Sequence, residues 1–258
     1  MPEGDAIHRI ANAVAPRLVG KTIERVTTQG LVRALAGRTV ESVEAHGKHL
    51  VIALDDGTYL RAHLGMNGRF RQLARADGEA LVARMSPGNA SLVIVTDDAV
   101  YLWRNAPQIE ISHRRAPRHG LAVAALGPDV LADDFDSRQA ASRAALHESR
   151  TISDLLLDQH VVAGIGNIYK CEALFRCRVH PATPSREVPD AVRVELYEVA
   201  RKMMRASVEG TREDYFVYSR AGLPCRTCNT PIRCAAIGTP PRFTWWCDTC
   251  QPAAGVSR

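Results

Sequence analysis

Apolar positions recur at helical spacing near the start of the chain. Ile7, Ile10, Val14 and Leu18 fall on one stripe, and Arg9 and Arg17 lie off it. This predicts a helix over 3–18, ended by Gly20. The period then changes. Thr22–Thr28, Thr39–Ala45, His49–Leu54, Tyr59–His63, Leu92–Thr96, Val100–Arg104 and Ile109–Ser112 are short β-branched or alternating segments, with Asp55-Asp56-Gly57 and Asp97-Asp98 as turns. A helix followed by about seven strands predicts a β-sandwich or barrel. Residues 114–136, with Gly127-Pro128-Asp129, read as a linker. Helical periodicity returns over 137–148, 151–159, 168–177 and 190–209, and from residue 211 the chain gains Cys, Pro and Gly instead. The expected class is α+β with several parts. These are a helix and β-sandwich domain over 1–120, a linker over 121–136, a helical domain over 137–212 and a small cysteine module over 213–258.

Composition narrows the class without naming a function. The 258 residues are 46% hydrophobic and 24% charged, ordinary for a globular protein able to bury a core without disulfides. No apolar run approaches the roughly 18 residues of a membrane span. Met1-Pro2-Glu3-Gly4-Asp5 does not open a secretory signal, so a cytoplasmic protein is expected. The net charge is +5, from 33 Lys/Arg against 28 Asp/Glu. Most of that surplus lies late: residues 136–258 carry 17 basic against 13 acidic side chains. Only Lys21, Lys48, Lys170 and Lys202 are lysines, so each stands out from an arginine-rich background. Codon bias toward arginine explains that background better than phosphate recognition does.

The cysteines carry the strongest chemical signal. All seven follow residue 170, an odd number that does not pair off into disulfides. Cys225-x2-Cys228 and Cys247-x2-Cys250 are separated by 18 residues, the two-knuckle pattern of a four-thiolate zinc site. A closed four-cysteine set leaves no position for water, so the expected zinc is structural. Cys171, Cys177 and Cys234 are spare. Between the knuckles, Pro240-Pro241-Arg242-Phe243-Thr244-Trp245-Trp246 puts an arginine beside aromatics at a hairpin tip. That arrangement fits a nucleic-acid phosphate contact or an ordinary exposed arginine.

Two weaker features accompany it. Val161 to Asn167 contains Gly164-Ile165-Gly166 between two predicted helices, with Asn167 as the expected N-cap of the second. Glycines and a helix start form an anion site, though a plain αα-hairpin has the same pattern. At the other end, removal of Met1 exposes the secondary amine of Pro2. An α-amine titrates near ~7.7–8, so a neutral, nucleophilic fraction exists at neutral pH. Such an amine attacks a carbonyl-like carbon to form an iminium, with Glu3 beside it to move protons. Alone, the same residues fit a proline at the first helical position and an acidic first turn.

Taken in order, these motifs resemble the formamidopyrimidine-DNA glycosylase / endonuclease VIII family over essentially the whole chain. Met1-Pro2-Glu3-Gly4 resembles the family N-terminus, Gly47-Lys48-His49-Leu50 its Gly-Lys strand turn, and His63-Leu64-Gly65-Met66-Asn67-Gly68 its DNA-insertion segment. Gly127-Pro128-Asp129-Val130-Leu131 resembles its linker. Leu157-Asp158-Gln159 through Gly164-Ile165-Gly166-Asn167-Ile168-Tyr169 resembles its helix–two-turn–helix, and Tyr218-Ser219-Arg220-Ala221-Gly222 the lead into its zinc finger. The resemblance implies a bifunctional glycosylase and AP lyase of base-excision repair. Pro2 would be the nucleophile and Glu3 the proton donor, with Lys48 the third member of the catalytic set. Lys48, Asn167 and Arg242, joined by His63, would hold phosphates around a flipped nucleotide, and Met66 would fill the void in the duplex. Damaged DNA is the expected partner, bound by a monomer in the bacterial cytoplasm at the nucleoid.

The branch within the family rests on departures from pattern. Leu102-Trp103-Arg104-Asn105-Ala106-Pro107-Gln108-Ile109-Glu110 lacks the Asp-Pro-Arg-Arg-Phe-Gly-like stretch of the formamidopyrimidine branch. Only a short segment separates the helix ending near Gly210 from Cys225, which leaves little room for a long lesion-capping loop. Both point to endonuclease VIII and to oxidised pyrimidines. Met66 resembles the other branch, and Ala6 stands where endonuclease VIII proteins carry a further glutamate. The alternatives are a purine-directed glycosylase for formamidopyrimidine or 8-oxoguanine, and a non-catalytic damage-binding zinc-finger protein.

Overall fold

In the computed structural model, residues 2–113 and 125–253 are described. The chain divides into two compact units, Met1–Ala125 and Leu126–Arg258. Part of the stretch read as a linker, 114–124, lies outside the described residues, as does Met1.

In the first unit, helix α1 spans Gly4–Leu18. Its stripe is the buried face: Ile7, Val14 and Leu18 are at most 2% exposed, and Ile10 packs partly buried beside them. The strands are β1 (Arg25–Thr28), β2 (Leu31–Arg33), β3 (Val40–His46), β4 (His49–Leu54), β5 (Thr58–His63) and β6 (Arg69–Ala74). Helix α2 (Arg75–Ala83) follows, then β7 (Ala90–Val95), β8 (Ala99–Arg104) and β9 (Gln108–His113). They form two antiparallel sheets, in the orders β2-β1-β7-β8-β6 and β3-β4-β5-β9. The expected sandwich is thus present, with α1 packed on β3 and β4.

Three elements were not predicted: β2, β6 and α2. Strand β2 is exposed along its whole length and β6 has no fully buried residue, so neither carries an apolar alternation to read. Gly78, a residue of low helix propensity, is buried inside α2. A Cβ there would lie 2.4 Å from Val100, so the glycine serves close packing of α2 on β8. That packing explains why β8 is apolar on both faces. Tyr101 and Trp103 point into the main core, while Val100 and Leu102 meet Leu81, Val82 and Met85 on the other side.

The second unit holds α3 (Ser137–Ala145), α4 (Ile152–Leu157), α5 (Asn167–Arg176), α6 (Asp190–Val208) and the hairpin β10 (Arg233–Ile237)–β11 (Arg242–Trp246). Asp136 caps α3 by accepting from the N–H groups of Arg138 and Gln139, and Thr151 caps α4 by accepting from Asp154. Leu155, Leu156, Leu196, Tyr197 and Met204 form the core. Val130, Leu131 and Phe135 belong to that core too, although they fall in the stretch read as linker. Asp129 makes a parallel bridge with Ala163, which fastens the segment beside the glycine turn. Among the described residues, no helix is long and apolar enough to cross a membrane.

Candidate functional site

The candidate residues fall into clusters, and each unit is described by itself. Pro2 is half-buried and Glu3 is 1% exposed. The Glu3 carbonyl accepts from Ala6 and Ile7, which starts α1, and its carboxylate makes no cap hydrogen bond to that helix. The first turn takes its negative charge from Asp5, 3.1 Å from Arg9. The carboxylate of Glu3 is therefore held out of water without serving as the helix cap.

A second cluster lies at one end of the four-stranded sheet. Gly47 and Lys48 make the turn between β3 and β4, and the register sets His49 opposite His63 and His63 opposite Gln108. The His49 and His63 rings are 4.7 Å apart between centroids. Beneath them Arg61, only 6% exposed, donates from Nε to Glu110 Oε2 at 2.8 Å and from Nη1 to His49 Nδ1 at 2.8 Å. Burial, reinforced by the charges of His63 and Arg61, pushes the His49 imidazole down to about 3. Burial likewise lowers His63, with Lys48 and Arg61 adding to the effect. Both rings are neutral at physiological pH, and the fixed positive charge at this edge is on Lys48 and Arg61.

Just past β5, Met66 is 64% exposed at the tip of a tight turn closed by Gly68 N–H donating to Leu64 O at 2.9 Å. Gly65 has φ +60, and a Cβ there would sit 2.6 Å from Pro107. Only glycine fits both the turn and its neighbour. A thioether is thereby presented to solvent on a short rigid support.

In the second unit, Asn167 does not cap α5 as the sequence suggested. Gly166 takes the extended N-cap position and Asn167 is the first helical residue. Its Nδ2 instead donates to Phe243 O on β11 at 2.8 Å, while its Oδ1 is buried with no partner among the described residues. Lys170, fully buried, donates from Nζ to Thr244 Oγ1 at 2.7 Å. The start of α5 is thus tied to the hairpin strand that begins at the exposed Arg242, and Asn167 and Arg242 become neighbours through Phe243. Asp154 of α4 accepts from Thr239 N–H at 3.1 Å, which holds the hairpin's tip. Gln159 closes the glycine turn, donating to the carbonyls of Leu157 and Ile165 and accepting from Gly164.

The four cysteines of the two knuckles come together. Cys225, Cys228, Cys247 and Cys250 offer sulfurs that all lie within 4.8 Å of one another. Pairs stand at 3.4, 3.5 and 3.9 Å. A tetrahedral ion with metal–sulfur bonds of about 2.3 Å needs sulfurs about 3.8 Å apart, so the set fits such an ion. Of the spare cysteines, Cys171 is buried and Cys234 exposed, and burial pushes the Cys177 thiol up to about 12.

Sequence reasoning missed Glu172. It is 2% exposed, and its carboxylate accepts the backbone N–H groups of Phe216, Val217 and Tyr218 at 2.8–2.9 Å. It docks the segment leading into the cysteine module onto α5. A carboxylate on the buried face of an apolar helix was the available signal. Glu172→Ala should lower the stability of this unit by about 3 kcal/mol, since it strands one buried and two part-buried donors at roughly 1–3 kcal/mol for each fully buried one. Denaturant unfolding followed at the tryptophans checks this, and a change under about 1 kcal/mol would contradict it.

Comparisons agree with the geometry. Residues 1–105 match the formamidopyrimidine-DNA glycosylase N-terminal domain, and residues 126–215 match the formamidopyrimidine-DNA glycosylase H2TH domain. The chain is 34% identical over 268 residues to a probable endonuclease 8 2 of Streptomyces coelicolor, covering 97% of this chain and 94% of the relative. It is also 34% identical to the DNA-(apurinic or apyrimidinic site) lyase Nei2 of Mycolicibacterium smegmatis, covering 98% of this chain and all of the relative. A crystal structure of the MutM (Fpg) protein from Thermus thermophilus is similar at a TM-score of 0.78 and 27% identity, covering 97% of this chain and 98% of that one. Matches over both units, at this identity and coverage, establish that the chain belongs to the formamidopyrimidine-DNA glycosylase / endonuclease VIII family.

Proposed function

We propose that the protein is a bifunctional DNA glycosylase and AP lyase of base-excision repair that removes oxidised pyrimidines such as thymine glycol and dihydrouracil. The observation that carries this reading is Glu3, 1% exposed next to Pro2 at the start of α1. A carboxylate kept from water beside an amine suits proton transfer at a reacting sugar.

The chemistry follows from those two groups. The lone pair of the Pro2 nitrogen attacks C1′ of the damaged nucleotide. The bond from C1′ to the base breaks, and the base leaves with the electron pair and takes up the proton that the Pro2 nitrogen sheds. Glu3 donates its proton to the ring oxygen of the sugar as the ring opens, which leaves an iminium between the Pro2 nitrogen and C1′. Loss of a C2′ proton then expels the 3′ phosphate, and a second elimination expels the 5′ phosphate. Water hydrolyses the remaining iminium and frees the amine. The iminium is itself the electron sink, so the eliminations need no small-molecule cofactor. Ala6 leaves Glu3 without a second glutamate, and Glu3 suffices.

Lys48, His63, Asn167 and Arg242 are assigned to DNA phosphates, and the exposed Met66 to the gap left by the flipped nucleotide. An apolar wedge recovers part of the few kcal/mol of lost stacking. The four thiolates hold one zinc ion, which fixes the hairpin bearing Arg242 and takes no part in the reaction. The protein acts on damaged DNA as a monomer in the bacterial cytoplasm, at the nucleoid.

Incision of duplexes that each carry one defined lesion, by protein with a free N-terminus, tests the substrate class. Thymine glycol and dihydrouracil should be cut at least about tenfold more efficiently than 8-oxoguanine or formamidopyrimidine. Equal or faster cutting of the purine lesions overturns the pyrimidine reading and favours the branch that Met66 resembles.

A further inference from the structure

The hydrogen bonds at the end of the four-stranded sheet determine where His49 carries its proton. A guanidinium only donates, so the Nδ1 of His49, 2.8 Å from Arg61 Nη1, accepts. The ring is then the neutral tautomer with its proton on Nε2. The same logic holds for His63, whose Nδ1 accepts from the Gly65 backbone N–H at 3.2 Å. Neither Nε2 has a protein partner among the described residues. The two rings lie 4.7 Å apart between centroids and both feel the charge of Lys48, so this sheet end carries two imidazole N–H donors beside a lysine. The nearby carboxylate, Glu110, is committed to Arg61 at 2.8 Å. Two imidazole N–H donors with no protein partner among the described residues suit an anion, and on DNA that anion is a backbone phosphate.

We propose that His49 is a further DNA-phosphate contact, a neutral Nε2–H donor beside Lys48 and His63, with Arg61 as the positioning residue that fixes its tautomer. The proposal rests on the reading of Lys48 as a phosphate contact. The charged and titratable groups around His49 are His46 at the end of β3, Lys48 on the β3–β4 turn, Arg61 and His63 on β5, and Glu110 on β9, which acts through Arg61. A proton on Nδ1 would face the Arg61 guanidinium directly. The contact is therefore made by an uncharged ring throughout the physiological range.

A neutral donor and a cation leave different signatures. Contact between a lysine and a phosphate releases counterions, so Lys48→Ala should reduce the slope of log affinity against log salt by about 0.9. His49→Phe keeps the ring and removes both nitrogens. It should weaken binding at least about tenfold, the effect of a hydrogen bond to a charged group, with the slope unchanged. Binding is measured on a duplex with a tetrahydrofuran abasic-site analogue, with each variant's thermal unfolding recorded in parallel. The ratio of the His49→Phe and wild-type dissociation constants should stay constant from about pH 5.5 to 8, the window in which an ordinary imidazole would titrate. His49→Gln, which retains an N–H at the end of its side chain, should recover part of the loss. Arg61→Met should weaken binding in the wild-type background and add nothing in the His49→Phe background, because it acts through His49.

An unchanged affinity in His49→Phe overturns the contact. A ratio that grows toward low pH overturns its neutrality, since the ring would then bind as a cation. Additive losses from Arg61→Met and His49→Phe overturn the positioning role. An unchanged salt slope in Lys48→Ala instead defeats the phosphate reading of this sheet end on which the proposal rests, whatever His49 does.

Discussion

Protein that retains Met1, or carries any residues fused ahead of Pro2, is expected to bind abasic-site DNA and leave it uncut. An acylated proline nitrogen has no lone pair available for C1′, so the iminium route closes. Removal of a covalent nucleophile costs many orders of magnitude in related cases, and incision should fall at least about a thousandfold. Binding should be nearly unchanged, because the proposed phosphate contacts lie elsewhere in the chain, at Lys48, His63, Asn167 and Arg242. Incision and binding assays on one abasic duplex, with and without the extension, check this. Cutting at an undiminished rate by the extended protein would mean that another amine does the chemistry.

Loss of the zinc ion proposed for the four cysteines is expected to weaken DNA binding by a different route. A two-stranded hairpin is marginal on its own. Strand β10 is exposed at every residue but Ile237, and the apolar cluster under the module is small and includes Cys225 and Cys247 themselves. Four thiolates on one zinc ion contribute about 10–16 kcal/mol of apparent binding energy, far more than that cluster supplies. Cys247→Ser, or removal of the ion by a chelator, should therefore unfold the hairpin. The bonds from Asn167 to Phe243 and from Lys170 to Thr244 go with it. DNA affinity should drop at least about a hundredfold, while the first unit, with its own core, keeps its folded signature. Metal content, affinity and circular dichroism on the same sample check the prediction. Retained affinity in metal-free protein would contradict it.

Much of this was visible in the amino-acid order, and the exceptions have physical causes. The stripe of Ile7, Ile10, Val14 and Leu18 identifies α1 because a helix with one buried face must repeat its apolar residues that way. The two Cys-x2-Cys pairs identify the four-cysteine cluster because each pair is local. What was hidden depends on partners distant in sequence. Arg61, His49 and Glu110 meet only because β4, β5 and β9 pair in one register. Nothing in the spacing of 49, 61 and 110 says which strands are neighbours. Helix α2 was hidden because Gly78, of low helix propensity, sits inside it and is needed for contact with Val100. Asn167 reads as a cap, but the strand running from Arg242 offers its amide a carbonyl and Gly166 takes the cap position instead. Glu172 was hidden because its partners are backbone groups 44–46 residues away.

The central claim is that the amine of Pro2 becomes covalently joined to the sugar during the reaction. Borohydride reduction of a reaction between protein with a free N-terminus and an abasic duplex, followed by proteolysis and mass spectrometry of the cross-linked peptide, tests it most directly. The expected result is one adduct, on the peptide that begins at Pro2, formed with Glu3 as the only carboxylate of that first turn besides Asp5. No adduct, or an adduct on Lys48 or another lysine, would contradict the account.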